Sequence, residues 1–421
     1  MKVAIIGAGI SGLSVAHFLK EKKYDVTVYE KESSPGGLIQ CRRVEGSLFH
    51  SCGGHVFNSK CEDVLNWFWS IFNQEKEFHK AERNSVVSME TGEMIPYPIE
   101  DHVYLFDHET QKSFIRDMLS ISQTGGSVSE SFEDFLRGRF GDTLYKLYFK
   151  PYNEKVWRRD LKQVPLSWLK GKLPMPTVEE IIFNNINHVE EKQFVHSSFY
   201  YEKNDGSQFI ANKLAEGLNI KYDIEIDCLT YIDGRWMVKG ECYDKVVFCG
   251  NLKQLPEMIQ DNRCIESYLQ EISNLEYHGT TAVFCEIDKN PYSWIYQPSR
   301  KHDSHRIICT GNFASSNNGA TVSVGRITAT IEFTDEISKE DIIKNLERIP
   351  LHPKYITHQY NRYTYPIQDG NTRNMIKALK TDLSKHNLFF TGRFADWEYY
   401  NMDAAIKAAM NTMEAIEKRS K

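Results

Sequence analysis

The sequence predicts an α/β protein: a doubly wound, Rossmann-like domain interrupted by an antiparallel sheet domain and a helical domain. Three observations predict it. The chain opens with a strand, a glycine turn, a helix, a second strand and an acid, in that order. The middle of the chain carries short runs of alternating apolar and polar residues, the pattern of half-buried strands. Between these two regions, apolar residues recur at helical spacing.

Val3-Ala4-Ile5-Ile6 reads as a short buried strand. Gly7-Ala8-Gly9-Ile10-Ser11-Gly12 follows and leads into a helix carrying Leu13, Ala16 and Leu19. Asp25–Tyr29 is the second strand, and Glu30 closes it. This order is the dinucleotide fingerprint. Gly7 permits the tight turn, Gly9 lets backbone approach a pyrophosphate, and Gly12 lets helix and sheet pack closely. The helix N-terminus offers free N–H groups to phosphate, and Glu30 can accept hydrogen bonds from ribose hydroxyls. Next come Lys31 and a second glycine pair, Gly36-Gly37, before Leu38. A glycine pair at this place resembles FAD-binding, glutathione-reductase-like versions of the fold.

Residues 131–150 place Phe132, Phe135, Phe140, Leu144, Leu147 and Tyr148 at helical spacing, so 101–165 is expected to be a helical domain. Strands are expected at 224–226, 236–238, 246–248, 281–284, 306–308, 321–324 and 388–390. A last helix begins near Asp403, with Met402, Ala405, Ile406, Ala409, Met410 and Met413 on one face. The FAD-binding domain is expected to comprise 1–58, 203–250 and 372–421. The sheet domain takes 59–100, 166–202 and 251–371.

The 421 residues carry 51 Lys+Arg and 57 Asp+Glu, a formal charge of -6. That length excludes a single small module, and a mildly acidic balance argues against a nucleic-acid binder. No apolar run is long enough for a membrane span, and the N-terminus has no cleavage-site pattern, so a cytoplasmic protein is expected. The nine cysteines include no CxxC pair, which fits reduced thiols and no metal site.

Several segments together resemble the UDP-galactopyranose mutase family, within the wider amine-oxidase and protoporphyrinogen-oxidase-like group. They are Gly53-Gly54-His55-Val56-Phe57, Pro96-Tyr97-Pro98, Lys150–Trp157 and Gly392–Asp403. The resemblance spans nearly the whole chain, and Gly392–Asp403 is its most specific part. It implies a flavin-dependent isomerase that interconverts pyranose and furanose forms of a UDP- or TDP-hexose. Reduced FAD is the active form, with N5 as nucleophile on the anomeric carbon and no net redox change. NAD(P)H or a reduced flavin is the implied electron donor, and the oligomeric state stays open, a homodimer included.

By the same resemblance, Arg306, Tyr365 and Tyr399 hold the diphosphate, and Tyr296 is a third tyrosine there. Phe149, Tyr152, Asn153 and Trp157 form the uridine pocket. His55 lies against the flavin ring, and Arg393 favours its negatively charged reduced state. Gly392, Asn401, Met402 and Asp403 complete the cofactor site, the helix dipole stabilising negative charge on the flavin. Two departures stand out. Lys172 stands where the family carries a second diphosphate arginine, keeping the charge but losing the fork; either the alignment slips by a residue or two, or the phosphate contact is weaker, or the substrate is another nucleotide-linked hexose or 6-deoxyhexose. Asn401 stands where bacterial members usually carry aspartate. The competing expectations are an FAD-dependent oxidoreductase of the same fold and a flavin-binding scaffold without turnover.

Overall fold

The computed structural model describes residues 1–124, 131–166, 176–189, 198–260 and 264–419. Five parallel strands form one sheet, in the order Leu388–Phe390, Lys245–Phe248, Lys2–Ile6, Asp25–Tyr29, Ile220–Lys221. Val3, Ala4, Ile5, Val246 and Val247 have no exposed surface, the near-continuous apolar reading of strands covered on both faces. On one side the Ile10–Glu21 and Met402–Lys418 helices pack together, joining a core of Leu13, Ile406 and Ala409. On the other face, Thr372–Lys385 joins Trp236, Phe390 and Trp397.

A small antiparallel sheet, Leu229–Ile232, Arg235–Val238 and Glu241–Tyr243, sits beside it. Both of its turns pair two residues of positive φ, Asp233 and Gly234, then Lys239 and Gly240. That is the geometry of the tightest hairpins, and only the second residue of each needs to be glycine for comfort.

The largest sheet has seven strands, in the order Lys354–Ile367, Glu276–Asp288, Arg326–Thr334, Arg306–Ile308, Trp294–Tyr296, Ser85–Ser88, Met94–Pro96. All neighbours are antiparallel except Trp294–Tyr296 beside Ser85–Ser88. A helical cluster built on Phe114, Phe132, Leu136, Leu144 and Tyr148 abuts this sheet through Val87 and Ile95. The Val178–Asn187 helix enters the same cluster through Ile181.

Three expectations are corrected. Residues 224–226 form no strand; after the two-residue strand Ile220–Lys221 the chain is held to the sheet by Ile224 N–H donating to the Glu30 carbonyl at 2.9 Å. Residues 321–324 turn in solvent, with Val324 fully exposed, and the strand begins only at Arg326 after Gly325 at φ 81°. Leu147 is 37% exposed, because Gly141 at φ 80° kinks the helix and Tyr145–Phe149 forms a π-helical turn. That extra residue per turn rotates Leu147 off the apolar stripe.

Candidate active site

The loops that follow the carboxyl ends of the parallel strands surround one cleft of about 320 Å³. This is where ligands bind in sheets of this type. Gly7, at φ 104°, donates its N–H to the Tyr29 carbonyl at 2.8 Å and ties the first turn to the second strand. A Cβ on Gly12 would stand 2.0 Å from the Gly7 carbonyl oxygen, so helix and turn touch there. A Cβ on Gly9 would meet nothing nearer than 3.9 Å. The Ile10–Glu21 helix has no side-chain cap and no acid in its first turn, which leaves its N–H groups and positive dipole to an anion.

Gly36 N–H donates to the Ala8 carbonyl at 2.9 Å, closing the second glycine pair onto the first. Glu30 is 7% exposed; its carboxylate accepts from Ala8 N–H at 2.6 Å and Glu32 N–H at 3.0 Å. Both oxygens keep lone pairs for a further donor. Ile10, Ser11, Lys31, Gly37 and Leu38 also line the cleft, as do Gly392, Arg393, Asn401 and Met402 at its other end. Asp403 lies in the first turn of the last helix, outside that lining.

His55 borders the same cleft. Its Nε2 is buried and has no hydrogen-bond partner among the described residues. Burial, then Arg393, lowers its pKa to about 3, so the ring is neutral. An orphaned nitrogen, an open glycine cradle and a guanidinium at one end fit a dinucleotide whose far end is polar and electron-rich. A flavin-type cofactor has that chemistry. Gly9, Gly37 and Glu30 would hold its nucleotide half, and His55, Arg393 and Met402 its ring.

The Gly392–Tyr400 loop is rigidly built. Gly392 has φ 122°; the Asp396 N–H donates to the Gly392 carbonyl at 2.7 Å, and Lys380 pairs with the Asp396 carboxylate. Trp397 is fully buried and donates Nε1–H to the Ile367 carbonyl at 2.9 Å. This fixes Arg393, whose Nε donates to the Tyr400 carbonyl at 3.1 Å and whose guanidinium covers the Tyr399 ring at 4.5 Å. Tyr399 in turn stacks on Tyr365, with 5.4 Å between centroids and 4° between planes. The Tyr365 hydroxyl accepts from Arg306 at 3.3 Å.

Arg306 is not a bare cation. Glu332 lies opposite it on the neighbouring strand, and Nε donates to Glu332 Oε2 at 2.8 Å. The other carboxylate oxygen accepts from Gly53 N–H at 3.0 Å, in the turn that carries His55. Burial alone would raise the Glu332 carboxyl, but Arg306 and then His305 hold it well below the usual range. Glu332 escaped the sequence reading. Its signal is a lone acid in the apolar strand Thr328–Phe333. Arg83 also escaped it, and it donates to the Tyr296 hydroxyl at 2.7 Å.

Tyr296 meets Tyr152 edge to face at 5.6 Å. Tyr152 also lies within electrostatic reach of Arg306 and Tyr399. Phe149 faces inward and stacks on Phe140 at 4.4 Å. The Asn153 amide donates to the Phe149 carbonyl at 2.7 Å, inside its own helix. The Trp157 carbonyl accepts from His278 Nε2 at 2.8 Å. Lys172 lies outside the described residues.

Residues 5–74 match the NAD(P)-binding Rossmann-like domain family. The dTDP-fucopyranose mutase of Escherichia coli is 24% identical over 436 residues, covering 100% of this chain and 99% of the relative. The UDP-galactopyranose mutase of Mycoplasma genitalium is 23% identical, covering 98% and 94%. The resemblance to the UDP-galactopyranose mutase family runs the whole length of the chain. A crystal structure of reduced UDP-galactopyranose mutase shares the fold, with a TM-score of 0.86 at 19% identity over 99% of this chain and 94% of that one. No helix among the described residues is long and apolar enough to cross a membrane.

Proposed function

We propose that the protein interconverts the pyranose and furanose forms of a hexose carried on UDP or dTDP, with FAD as cofactor. One observation carries this reading. Arg393 belongs to the dinucleotide cleft and also covers Tyr399, which stacks on Tyr365, which is bonded to Arg306. Donors suited to a diphosphate therefore continue directly from the ring end of the cofactor cleft.

Arg306, Tyr365 and Tyr399 bind the diphosphate oxygens, and Tyr296 supports them. Because Glu332 already neutralises Arg306, these contacts act more through oriented hydrogen bonds than through net charge. Tyr152, stacked on Tyr148 at 5.4 Å, offers ring surface to the base, with Asn153 and Trp157 on the same helix, and Phe149 just before that helix packs on Phe140. Held by His55, Arg393 and Met402 at the ring end, FAD in its reduced form would supply a nucleophilic N5 for the anomeric carbon. Arg393 stabilises negative charge at that end of the cleft. His55, being neutral, serves there as a hydrogen-bonding partner and not as an acid.

The test is an assay of dithionite-reduced holoprotein against a panel of UDP- and dTDP-hexoses, with products separated by chromatography. Ring isomers from the reduced protein and none from the oxidised protein are expected. Oxygen uptake with an amine, and no isomer from any sugar nucleotide, would favour the oxidoreductase reading.

A further inference from the structure

The proposed nucleotide site is built from two separate pieces of chain. Tyr152 rides on the helix Lys150–Trp157, whereas Tyr296 and Arg306 sit on the paired strands Trp294–Tyr296 and Arg306–Ile308. A ligand that spans base and diphosphate needs the two pieces at a fixed separation.

Lys155 lies on that helix, and its ammonium reaches into the neck of the strand pair. It donates to the Gln297 carbonyl at 2.9 Å and to the Ser304 carbonyl at 2.8 Å. Gln297 directly follows Tyr296, and Ser304 stands two residues before Arg306. Both are fully buried, and the Ser304 hydroxyl donates to Gln297 Oε1 at 2.6 Å, so the neck is rigid. Burial, opposed chiefly by Asp303, lowers the Lys155 pKa to about 7, the mark of a cation taken out of water.

Two further ties hold the end of the same helix. His278 Nε2 donates to the Trp157 carbonyl at 2.8 Å while its Nδ1 faces Asp335 at 2.9 Å. Arg158 donates to the Thr334 carbonyl at 3.2 Å. Glu154 of the helix also meets Arg300 in the exposed loop between the two strands, at 3.3 Å, and Tyr152 meets Tyr296 edge to face, but it is Lys155 that bonds the buried main chain of both strand ends at once.

We infer that Lys155 is a positioning residue that sets the distance between the base side and the diphosphate side of the nucleotide site. It touches neither substrate nor cofactor. It acts by making two weak half-sites into one strong site, as a rigid linker does. The inference rests on the nucleotide-sugar reading above.

Lys155→Met keeps the apolar stem and removes the donors. In oxidised holoprotein, UDP affinity is expected to fall about tenfold. Uridine and inorganic pyrophosphate, each of which meets one side only, are expected to bind as they do to the wild type. With reduced protein, KM for the sugar nucleotide rises and kcat holds. Lys155→Gln, which keeps one donor, gives a smaller loss of the same pattern and carries the comparison should the Met variant not fold. Unchanged UDP affinity, or an equal loss for UDP, uridine and pyrophosphate, would overturn the inference. A wild-type protein that binds neither UDP nor dTDP would overturn the nucleotide reading and the positioning role with it.

Discussion

Arg306 and Glu332 face each other across neighbouring antiparallel strands, joined by a 2.8 Å hydrogen bond from Nε to Oε2. The pair is asymmetric. Arg306 keeps some contact with solvent, at 18% exposure, whereas Glu332 has 1%. Removing the arginine therefore strands a buried carboxylate, and removing the acid frees a reachable guanidinium.

Arg306→Ala is expected to weaken UDP binding by about 1.5–3 kcal/mol, the range for hydrogen bonds to charged groups. It is also expected to destabilise the fold by about 3–5 kcal/mol, because Glu332 loses its partner. Adding Glu332→Gln to the same chain removes the stranded charge. The double variant should recover most of the stability and none of the UDP affinity. Urea unfolding and calorimetric titration read the two effects separately. If stability stays as low as in the single variant, the carboxylate is not the cause.

Glu100 supplies a prediction with a pH signature. It is 4% exposed, and burial, then Asp101, raises its pKa to about 8. A carboxyl raised in the folded state is favoured by the unfolded state as soon as it ionises there, above about pH 4.3. Stability is thus lost as pH rises towards 8 and is regained below the unfolded value. The cost is about 1 kcal/mol at pH 5 and about 3–4 kcal/mol at pH 7. Glu100→Gln should match the wild type in acid and gain on it steadily to pH 8, as read by thermal unfolding across that range. A gain independent of pH would mean that Glu100 is not held protonated.

Much of this site can be read from residue order, and the unread part has a physical reason. The glycine fingerprint, Glu30 and Gly36-Gly37 are local in sequence, so their spacing alone assembles one end of the cleft. Arg393 and Tyr399 stand within one short loop and also come through as a motif. Glu332 does not, because its meaning comes from strand register: it matters only once it faces Arg306. Lys155 is hidden for the same reason, since its partners are main-chain carbonyls that carry no side-chain signal. The π-helical turn at Tyr145–Phe149 breaks the 3.6-residue period on which the helical reading relied, and it misplaced Leu147.

Arg393 should tune the cofactor. Its guanidinium lines the ring end of the cleft and is fixed by the Tyr400 and Thr364 carbonyls. A positive charge there favours the reduced, negatively charged flavin. Arg393→Met is expected to make the midpoint potential of bound FAD more negative by at least about 30 mV, equivalent to about 1.4 kcal/mol for two electrons. Potentiometric titration of the holoprotein measures it. An unchanged potential would confine Arg393 to holding the loop.

Two glycines of one motif should fail in different ways. At Gly12 an added Cβ would collide with the Gly7 carbonyl at 2.0 Å, a contact between backbone elements that nothing can relieve without moving the helix. Gly12→Ala is expected to lower the stability of the apoprotein itself. Gly9 has φ -72°, an angle that alanine accepts, and its added methyl meets nothing nearer than the Gly36 carbonyl at 3.9 Å. Gly9→Ala should therefore leave the unfolding of the apoprotein unchanged. The methyl would instead occupy the space a pyrophosphate needs, so the purified variant should carry little FAD. Flavin absorbance per chain, set beside apoprotein melting, separates the two. Should Gly9→Ala load FAD as fully as the wild type, the pyrophosphate does not pass over Gly9, and the placement of the cofactor in this cleft fails.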